Sequence, residues 1–247
     1  MAPFIRYVGV HKAFGANAVL RGVDLDVEEG ETVVVLGGSG SGKSVLLRHT
    51  IGLHRPDRGE VWVDGAEITG LDEDDLIETR KKVGMLFQAG ALFDSMTVED
   101  NVAFALREHT GWDEERVRER VEEVLGLVDL EPEVGALMPS DLSGGMRKRV
   151  ALARAVALAP RALLYDEPTT GLDPITANTI NALIRSAQSR LGVTSIVVTH
   201  DIHSAFTVGD RIAFLHDGRI RFHGTVAEAR EGREPLLRDF LQGGGYA

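Results

Sequence analysis

The chain has 247 residues, a formal net charge of −11 and no cysteine, and 43% of its residues are hydrophobic. This composition is typical of a globular protein with a substantial buried core, and the lack of cysteine excludes disulfides and thiolate metal sites. The acidic balance argues against a dedicated nucleic-acid binder, so we expect no nucleic acid among the partners.

No apolar stretch approaches the roughly 20 residues that a membrane-spanning helix requires, and Met1–Arg6 lacks the apolar core of a signal peptide. We therefore expect the chain to reside in the cytoplasm. The first predicted elements are strands: Val19–Val27 and a hairpin over Val61–Ile68, turning at Asp64-Gly65, predict a small antiparallel sheet.

A glycine-rich motif lies between these strands. The apolar run Thr32–Leu36 predicts a strand, and the pattern G-x-x-x-x-G-K-S follows it at the start of a predicted helix. The backbone N–H groups of such a glycine-rich turn are suited to cradle the phosphates of a nucleotide, with Lys43 on the β- and γ-phosphates and Ser44 on Mg²⁺. The alternative is a tight turn with an incidental lysine. The predicted nucleotide-binding residues are Gly37, Gly38, Ser39, Gly40, Ser41, Gly42, Lys43, Ser44 and Val45.

A mostly helical region follows, from about Thr97 to Pro160. Thr97 and Asn101 are expected to start helices, and Glu114–Val128 carries apolar residues at helical spacing. A further helix is expected over Gly145–Ala159, stopped by Pro160.

Strands and helices then alternate again, because Ala162–Tyr165 and Thr194–Thr199 predict strands and Ile175–Leu191 predicts a helix. This alternation predicts a mostly parallel sheet with helices on both faces, and therefore an α/β fold interrupted by a helical segment. One strand ends in Asp166-Glu167. The first acid is a candidate Mg²⁺ ligand and the second a candidate to act on the attacking water, with an exposed acidic strand end as the alternative.

Other candidates depend on weaker local signals. Ser143, Gly144 and Gly145 precede a helix and form a candidate second anion site, although an ordinary N-cap is favoured locally, and Arg147-Lys148-Arg149 is interpreted as a solvated basic face. Gln88 is a candidate for metal or water, His200 for the γ-phosphate and Phe14 for stacking on adenine. A structural histidine and a core aromatic are the alternatives for the last two.

The ordered set of these motifs resembles the nucleotide-binding subunit of ABC transporters over nearly the whole chain. The resemblance implies a P-loop NTPase with an α/β core at residues 1–88 and 161–232, a small antiparallel β subdomain, an inserted helical subdomain at 89–160 and a tail at 233–247. It also implies a head-to-tail dimer with a second copy, in which each ATP lies between the P-loop of one copy, Gly37–Ser44, and the signature motif of the other copy, Leu142–Gly145. The motifs are Gly37–Ser44, Gln88, Leu142–Gly145, Asp166-Glu167-Pro168, Gly171-Leu172-Asp173 and His200.

Within that family, the segment Phe87–Val98 resembles the ATPases of Mla-type and Mce-associated lipid transporters. Asn101-Val102, Leu106–Thr110, Met146 and Asp166–Ile175 are similar to the same group. The best-known members continue beyond a segment like Leu237–Leu241 with an extension that clasps the partner subunit, and this sequence departs from them there.

The resemblance implies an ATP-hydrolysing subunit, with ATP and Mg²⁺ as cofactors, that powers a lipid transporter from the inner face of the cell membrane. A membrane permease is expected to dock near residues 87–110, where Ala91-Leu92-Phe93 and Met96 either form a groove or belong to the core, and a lipid-binding Mce-type protein is a further expected partner. The alternatives are an importer of amino acids or metals, a non-transport ATPase of the same superfamily, and a binding module without turnover. The implied roles are Lys43 on the phosphates, Ser44, Gln88 and Asp166 on Mg²⁺, Glu167 on water, His200 on the γ-phosphate, and Ser143 and Gly145 in the other copy's site.

Overall fold

The computed structural model describes residues 2–243, which divide into two compact units. The first unit comprises the residues up to Thr79 and from Thr194 onward, and the second comprises Arg80–Val193. The strands are β1 (Ile5–Phe14), β2 (Asn17–Val27), β3 (Thr32–Leu36), β4 (Arg58–Val63), β5 (Ala66–Glu67), β6 (Val83–Leu86), β7 (Ala162–Asp166), β8 (Thr194–Thr199), β9 (Arg211–His216) and β10 (Arg219–Thr225). The helices are α1 (Lys43–His49), α2 (Glu73–Lys82), α3 (Val98–His109), α4 (Glu114–Leu127), α5 (Gly144–Val156), α6 (Pro174–Leu191), α7 (Ile202–Val208), α8 (Val226–Glu231) and α9 (Pro235–Leu241).

The first unit contains the predicted antiparallel sheet, with strand order β2-β1-β4-β5. Its hairpin is confirmed, since Val63 pairs with Ala66 across the turn. Asp64 and Gly65 both have positive φ, 50° and 76°, which is the backbone that an Asp-Gly hairpin turn favours.

The same unit also contains a mostly parallel group of strands, in which β3 pairs in parallel with β8 on one side and β9 on the other. Every residue of β3 and β8 is buried, as expected for parallel strands covered on both faces. Leu36 pairs with Thr199, so the residues that follow, Gly37 and His200, leave the same edge of these strands.

The second unit pairs β6 in parallel with β7 and surrounds them with helices. Leu86 pairs with Tyr165, so Gln88 and Glu167 each lie two residues beyond a paired position. A Cβ on Gly84 of β6 would lie only 2.1 Å from the carbonyl oxygen of Ala155 on α5. The helix therefore packs closely on this strand at a position that has no room for a side chain.

Two predicted helix boundaries are wrong. Asn101 does not start a helix: α3 begins at Val98 with Thr97 as its N-cap, and the buried Asn101 side chain instead accepts from Phe93 N and donates to Phe93 O, at 2.8 and 3.0 Å. Helix α5 ends at Val156 rather than Ala159, because Ala159 has a left-handed φ of 50°.

The predicted α/β class, with its small antiparallel sheet and inserted helices, is confirmed. Among residues 2–243, no helix has both the length and the apolarity needed to cross a bilayer. The predicted domain boundaries at 88/89, 160/161 and 232/233 stay predictions, and residues 244–247 of the predicted tail lie outside the described residues.

Candidate active site

The loop Gly37–Gly42 joins β3 to α1 in the first unit and accepts only glycine at key positions. Gly42 has φ of 101°, a backbone conformation that residues other than glycine rarely adopt. A Cβ on Gly42 would lie 2.9 Å from Val19 Cγ1, and one on Gly37 would lie 2.4 Å from the Leu215 carbonyl oxygen. This tightly folded backbone before a helix fits a loop that binds phosphate through its N–H groups.

Lys43 begins α1, and its side chain folds back over the loop. The residue is 5% exposed, and its Nζ donates to the carbonyl oxygens of Gly37 and Gly38 at 2.9 Å each. Ser41 Oγ is buried without a hydrogen-bond partner, so the loop keeps a polar group available for a ligand. The cation, the glycine backbone and this hydroxyl together fit the triphosphate of a nucleotide.

An open cleft of ≈ 390 Å³ borders the loop and is lined in part by Gly38–Ser41. Phe14 ends β1 in the same unit and is 46% exposed, so the interpretation of this residue as a core aromatic is wrong. Its ring lies edge-on to the ring of His54, with centroids 5.4 Å apart, and 5.6 Å from the ammonium of Lys12. Stacking of Phe14 on adenine stays a prediction that its exposure allows.

His200 follows β8 and is exposed. The turn around it is fixed because Asp201 N donates to Thr199 Oγ1 at 3.0 Å, and the Asp201 side chain accepts from Ser204 N at 2.5 Å as the N-cap of α7. The strand register therefore presents His200 at the edge from which the phosphate loop departs.

The paired carboxylates lie at the end of β7 in the second unit. Asp166 is 1% exposed and Glu167 is 7% exposed, so the alternative of an exposed acidic strand end is wrong. Glu167 has a left-handed φ of 48°, an uncommon backbone for a residue other than glycine. Thr170 Oγ1 donates to Glu167 Oε2 at 3.0 Å, and this bond orients the carboxylate.

Lys148 contradicts the interpretation of Arg147-Lys148-Arg149 as a solvated basic face. It is 6% exposed, and its Nζ donates to the carbonyl oxygen of Gln88 and, at 3.3 Å, to that of Glu167. Burial lowers the pKa of Lys148, and the neighbouring carboxylates of Asp166 and Glu167 oppose that shift.

Sequence reasoning missed Lys148 although a signal was present. Lys148 lies three residues after Gly145 and four before Leu152, and both of these residues are buried on α5. Residues three and four apart share one face of a helix, so this spacing placed Lys148 on the core side.

The glycine-rich start of α5 is explained within the chain. Ser143 is the N-cap of α5, and its Oγ accepts from Met146 N at 3.2 Å, which confirms the local interpretation. A Cβ on Gly145 would lie 2.5 Å from Thr176 Cγ2, and Thr176 in turn donates to Asp173 Oδ2 at 2.5 Å. The first turn of α6 therefore packs directly against Gly145, while Ser143 and Gly144 are exposed.

The candidate metal ligands are all oxygen donors: the Ser44 hydroxyl, the amide of the exposed Gln88 and the buried carboxylate of Asp166. In the part of the chain that the structure describes, no group of three or more His, Cys, Asp or Glu side chains could hold a metal. Each of these oxygen donors is of a type that Mg²⁺ prefers, and proteins commonly hold Mg²⁺ through one or two carboxylates together with substrate phosphates and water. The individual site assignments stay predictions.

Comparison with known proteins identifies the family. The ABC transporter family matches residues 20–170. The chain is 42% identical over 243 residues to the probable ribonucleotide transport ATP-binding protein mkl of Mycobacterium leprae, covering 98% of this chain and 70% of that protein. It is 45% identical over 228 residues to the methionine import ATP-binding protein MetN of Symbiobacterium thermophilum, covering 91% of this chain and 68% of that protein.

A lipid transport protein is also among the relatives. The chain is 40% identical over 229 residues to the intermembrane phospholipid transport system ATP-binding protein MlaF of Haemophilus influenzae, covering 93% of this chain and 86% of that protein. A solved ATP-binding cassette dimer in a post-hydrolysis state, bound to ADP and phosphate, superposes with a TM-score of 0.83 at 36% identity, covering 90% of this chain and 98% of that one. The chain belongs to the ABC transporter family and is the ATPase subunit of a transporter.

Proposed function

We propose that this ATPase powers a membrane transporter for a phospholipid or a related hydrophobic lipid, held at the inner face of the cell membrane by a permease subunit. The observation that carries the proposal is an exposed aromatic pair, Phe93 and Phe104, in the segment 87–110 that resembles lipid-transporter ATPases. The 40% identity to MlaF over 93% of this chain supports the same substrate class.

The aromatic pair is suited to receive a partner. Phe93 is 43% exposed and Phe104 is 40% exposed, and their ring centroids lie 5.1 Å apart. Arg154 on α5 holds the backbone just before Phe93, because it donates to the carbonyl oxygens of Gly90 and Ala91 at 2.8 and 2.7 Å. Its guanidinium also lies 5.9 Å from the centroid of the Phe93 ring. Exposed aromatic side chains on a hydrogen-bonded backbone are suited to contact an amphipathic helix of the permease, and their exposure argues against a role in the core.

The aromatic pair lies close along the chain to a residue that we propose contacts the Mg²⁺ of the bound nucleotide. Phe93 lies five residues after Gln88, a proposed Mg²⁺ ligand, and Asn101 hydrogen-bonds to both the N–H and the carbonyl of Phe93. A shift of the docked helix would therefore be transmitted through a short, hydrogen-bonded segment. A lipid-binding Mce-type protein is proposed as a further partner of the assembled transporter.

For the reaction itself, we propose that the ammonium of Lys43 compensates the charge of the phosphates and that His200 binds the γ-phosphate. Glu167, oriented by Thr170, orients or deprotonates the attacking water, and Ser143 and Gly145 bind the nucleotide of a second copy. Ser44, Gln88 and Asp166 would hold Mg²⁺, which would supply charge neutralisation at the phosphates.

The test is recovery of the complex from native membranes with tagged wild-type, Phe93→Asp, Phe104→Asp and Leu191→Asp chains. Leu191 is 40% exposed but lies at the end of α6, outside the segment 87–110, so it is the matched control. The two Phe variants should fold, bind ATP and lose the permease, whereas Leu191→Asp should retain it.

Mass spectrometry of the co-purified lipids and lipid-dependent ATPase activity of the reconstituted complex then test the cargo. Wild-type recovery of the permease by both Phe variants would contradict the docking site. An ATPase rate that does not respond to lipid would contradict the substrate class.

A second candidate function is import of an amino acid, favoured by the 45% identity to MetN over 91% of this chain. The two candidates differ in cargo. ATPase activity of the reconstituted complex that responds to an amino acid with its binding protein, and not to lipid, would support the second candidate.

A further inference from the structure

Lys148 is a buried cation that joins two segments of the second unit. Its Nζ donates to the carbonyl oxygen of Gln88 and, at 3.3 Å, to the carbonyl oxygen of Glu167. These residues follow neighbouring parallel strands, each two positions beyond the pair Leu86–Tyr165. One ammonium therefore holds the backbone of both segments at the point where they leave β6 and β7.

The Glu167 backbone requires such support. Its φ of 48° is a left-handed conformation that is strained in residues other than glycine and persists only where the surroundings impose it. Its carbonyl oxygen accepts from Lys148 and also from Thr170 N, at 3.3 Å for each. Thr170 Oγ1 holds the Glu167 carboxylate as well, so Lys148 and Thr170 together determine where that carboxylate points.

Burying a lysine to hold a loop has a large desolvation cost. Removing an ammonium from water is unfavourable, and an apolar side chain of similar volume often stabilises a protein equally well. Lys148 is 6% exposed, and its hydrogen bonds reach the backbone of two residues with proposed roles at the phosphates. The placement indicates a role in positioning these residues rather than in stability alone.

We propose that Lys148 is a positioning residue for ATP hydrolysis: its ammonium fixes the separation of Gln88 and Glu167 and so holds the Glu167 carboxylate in the orientation that acts on water. This inference rests on the role proposed above for Glu167. Through Lys148, the helix α5 that begins at the signature motif contacts the backbone of Glu167 in the same chain.

The experiment compares Lys148→Met, Lys148→Arg and the wild type by steady-state ATPase kinetics and thermal unfolding of the full chain. Methionine keeps an unbranched stem as far as Cε and removes the ammonium with its donors, whereas arginine keeps charge and donors. Lys148→Met should lower kcat by about 10- to 100-fold, with KM for ATP within about threefold of wild type because the phosphate contacts of Lys43 remain. Lys148→Arg should recover most of kcat.

Arg120→Met is the matched control for a purely structural role. Arg120 is also largely buried and donates to the carbonyl oxygens of Ala157 and Val156 at 3.0 and 3.1 Å, at the far end of α5. Its loss should lower the unfolding temperature and leave kcat per folded molecule unchanged. If Lys148→Met behaves in the same way, the positioning role is overturned.

A double-mutant comparison tests whether Lys148 acts through Glu167. In a Glu167→Gln background, Lys148→Met should change the single-turnover hydrolysis rate by less than about twofold, since residues that act as a unit are non-additive. An undiminished effect in that background would overturn the proposal while leaving the role of Glu167 intact. Wild-type turnover by Glu167→Gln alone would instead overturn that role and the proposal with it. Lys148→Gln replaces Lys148→Met in both comparisons if the latter does not fold.

Discussion

Replacing Gly145 by alanine tests whether α6 dictates the glycine of the signature motif. The added Cβ would lie 2.5 Å from Thr176 Cγ2, while the other Thr176 atoms are 3.9 and 4.0 Å away. One methyl group is therefore responsible for the clash. Thr176→Ser removes that methyl group and keeps the hydroxyl that donates to Asp173.

The expected magnitude follows from this geometry. A contact of 2.5 Å lies far inside van der Waals distance, so the overpacking cost falls in the upper part of its usual range, about 2–3 kcal/mol, and the gain in helix propensity from glycine to alanine offsets about 1 kcal/mol of it. We expect Gly145→Ala to lower the free energy of unfolding by about 1–2 kcal/mol, which corresponds to about 2–8 °C in Tm for a chain of this size. The double variant Gly145→Ala/Thr176→Ser should regain most of this loss.

Thermal unfolding without nucleotide measures these shifts. Gly144→Ala is the matched control, because its Cβ would meet only Leu172 Cδ2, at 3.6 Å, and its Tm should stay near that of the wild type. The reasoning is refuted if Gly145→Ala unfolds at the wild-type temperature. It is also refuted if Thr176→Ser fails to raise the Tm of Gly145→Ala.

Other predictions concern the reaction and pH. Glu167→Gln should bind ATP, hydrolyse it slowly and accumulate as an ATP-bound dimer in sizing chromatography; normal turnover by a monomeric variant would disprove the role of this carboxylate. Lys43→Ala should abolish hydrolysis with the fold retained. A dimer that mixes Lys43→Ala and Ser143→Arg chains should regain part of the activity, because one of its two shared sites carries neither substitution. Full activity of Ser143→Arg alone would argue that Ser143 is only a local N-cap. Burial lowers the pKa of His49 to about 4, so between pH 6.5 and 4 the unfolded chain binds more protons than the folded chain and stability falls as the pH falls. From pH 7 to 5 the wild type should lose about 2 kcal/mol more in free energy of unfolding than His49→Gln, and equal losses in urea unfolding would contradict the assignment.

Local signals made much of the fold predictable. The Asp64-Gly65 turn, the Thr97 cap and the strand before the phosphate loop are each determined by a few consecutive residues, whose backbone preferences act over one turn. The ordered motifs also sufficed for the family and for ATP hydrolysis. Asn101 was misassigned because its side chain bonds to Phe93, eight residues earlier, and no local preference reports such a bond.

The sequence by itself determined the positions of the glycine-rich loop and of the paired acids along the chain and predicted their roles at the phosphates, because glycine, lysine and carboxylate residues at fixed spacing can be recognised without knowledge of the packing. Helical spacing indicates the core side of α5 for Lys148, but only the tertiary structure decided that this side chain contacts Gln88 and Glu167, and that Phe93 is exposed. Burial depends on which elements pack together, and side chains of identical local pattern become core or surface according to their neighbours. The same holds for Gly145, whose lack of a side chain is required by Thr176 on another helix.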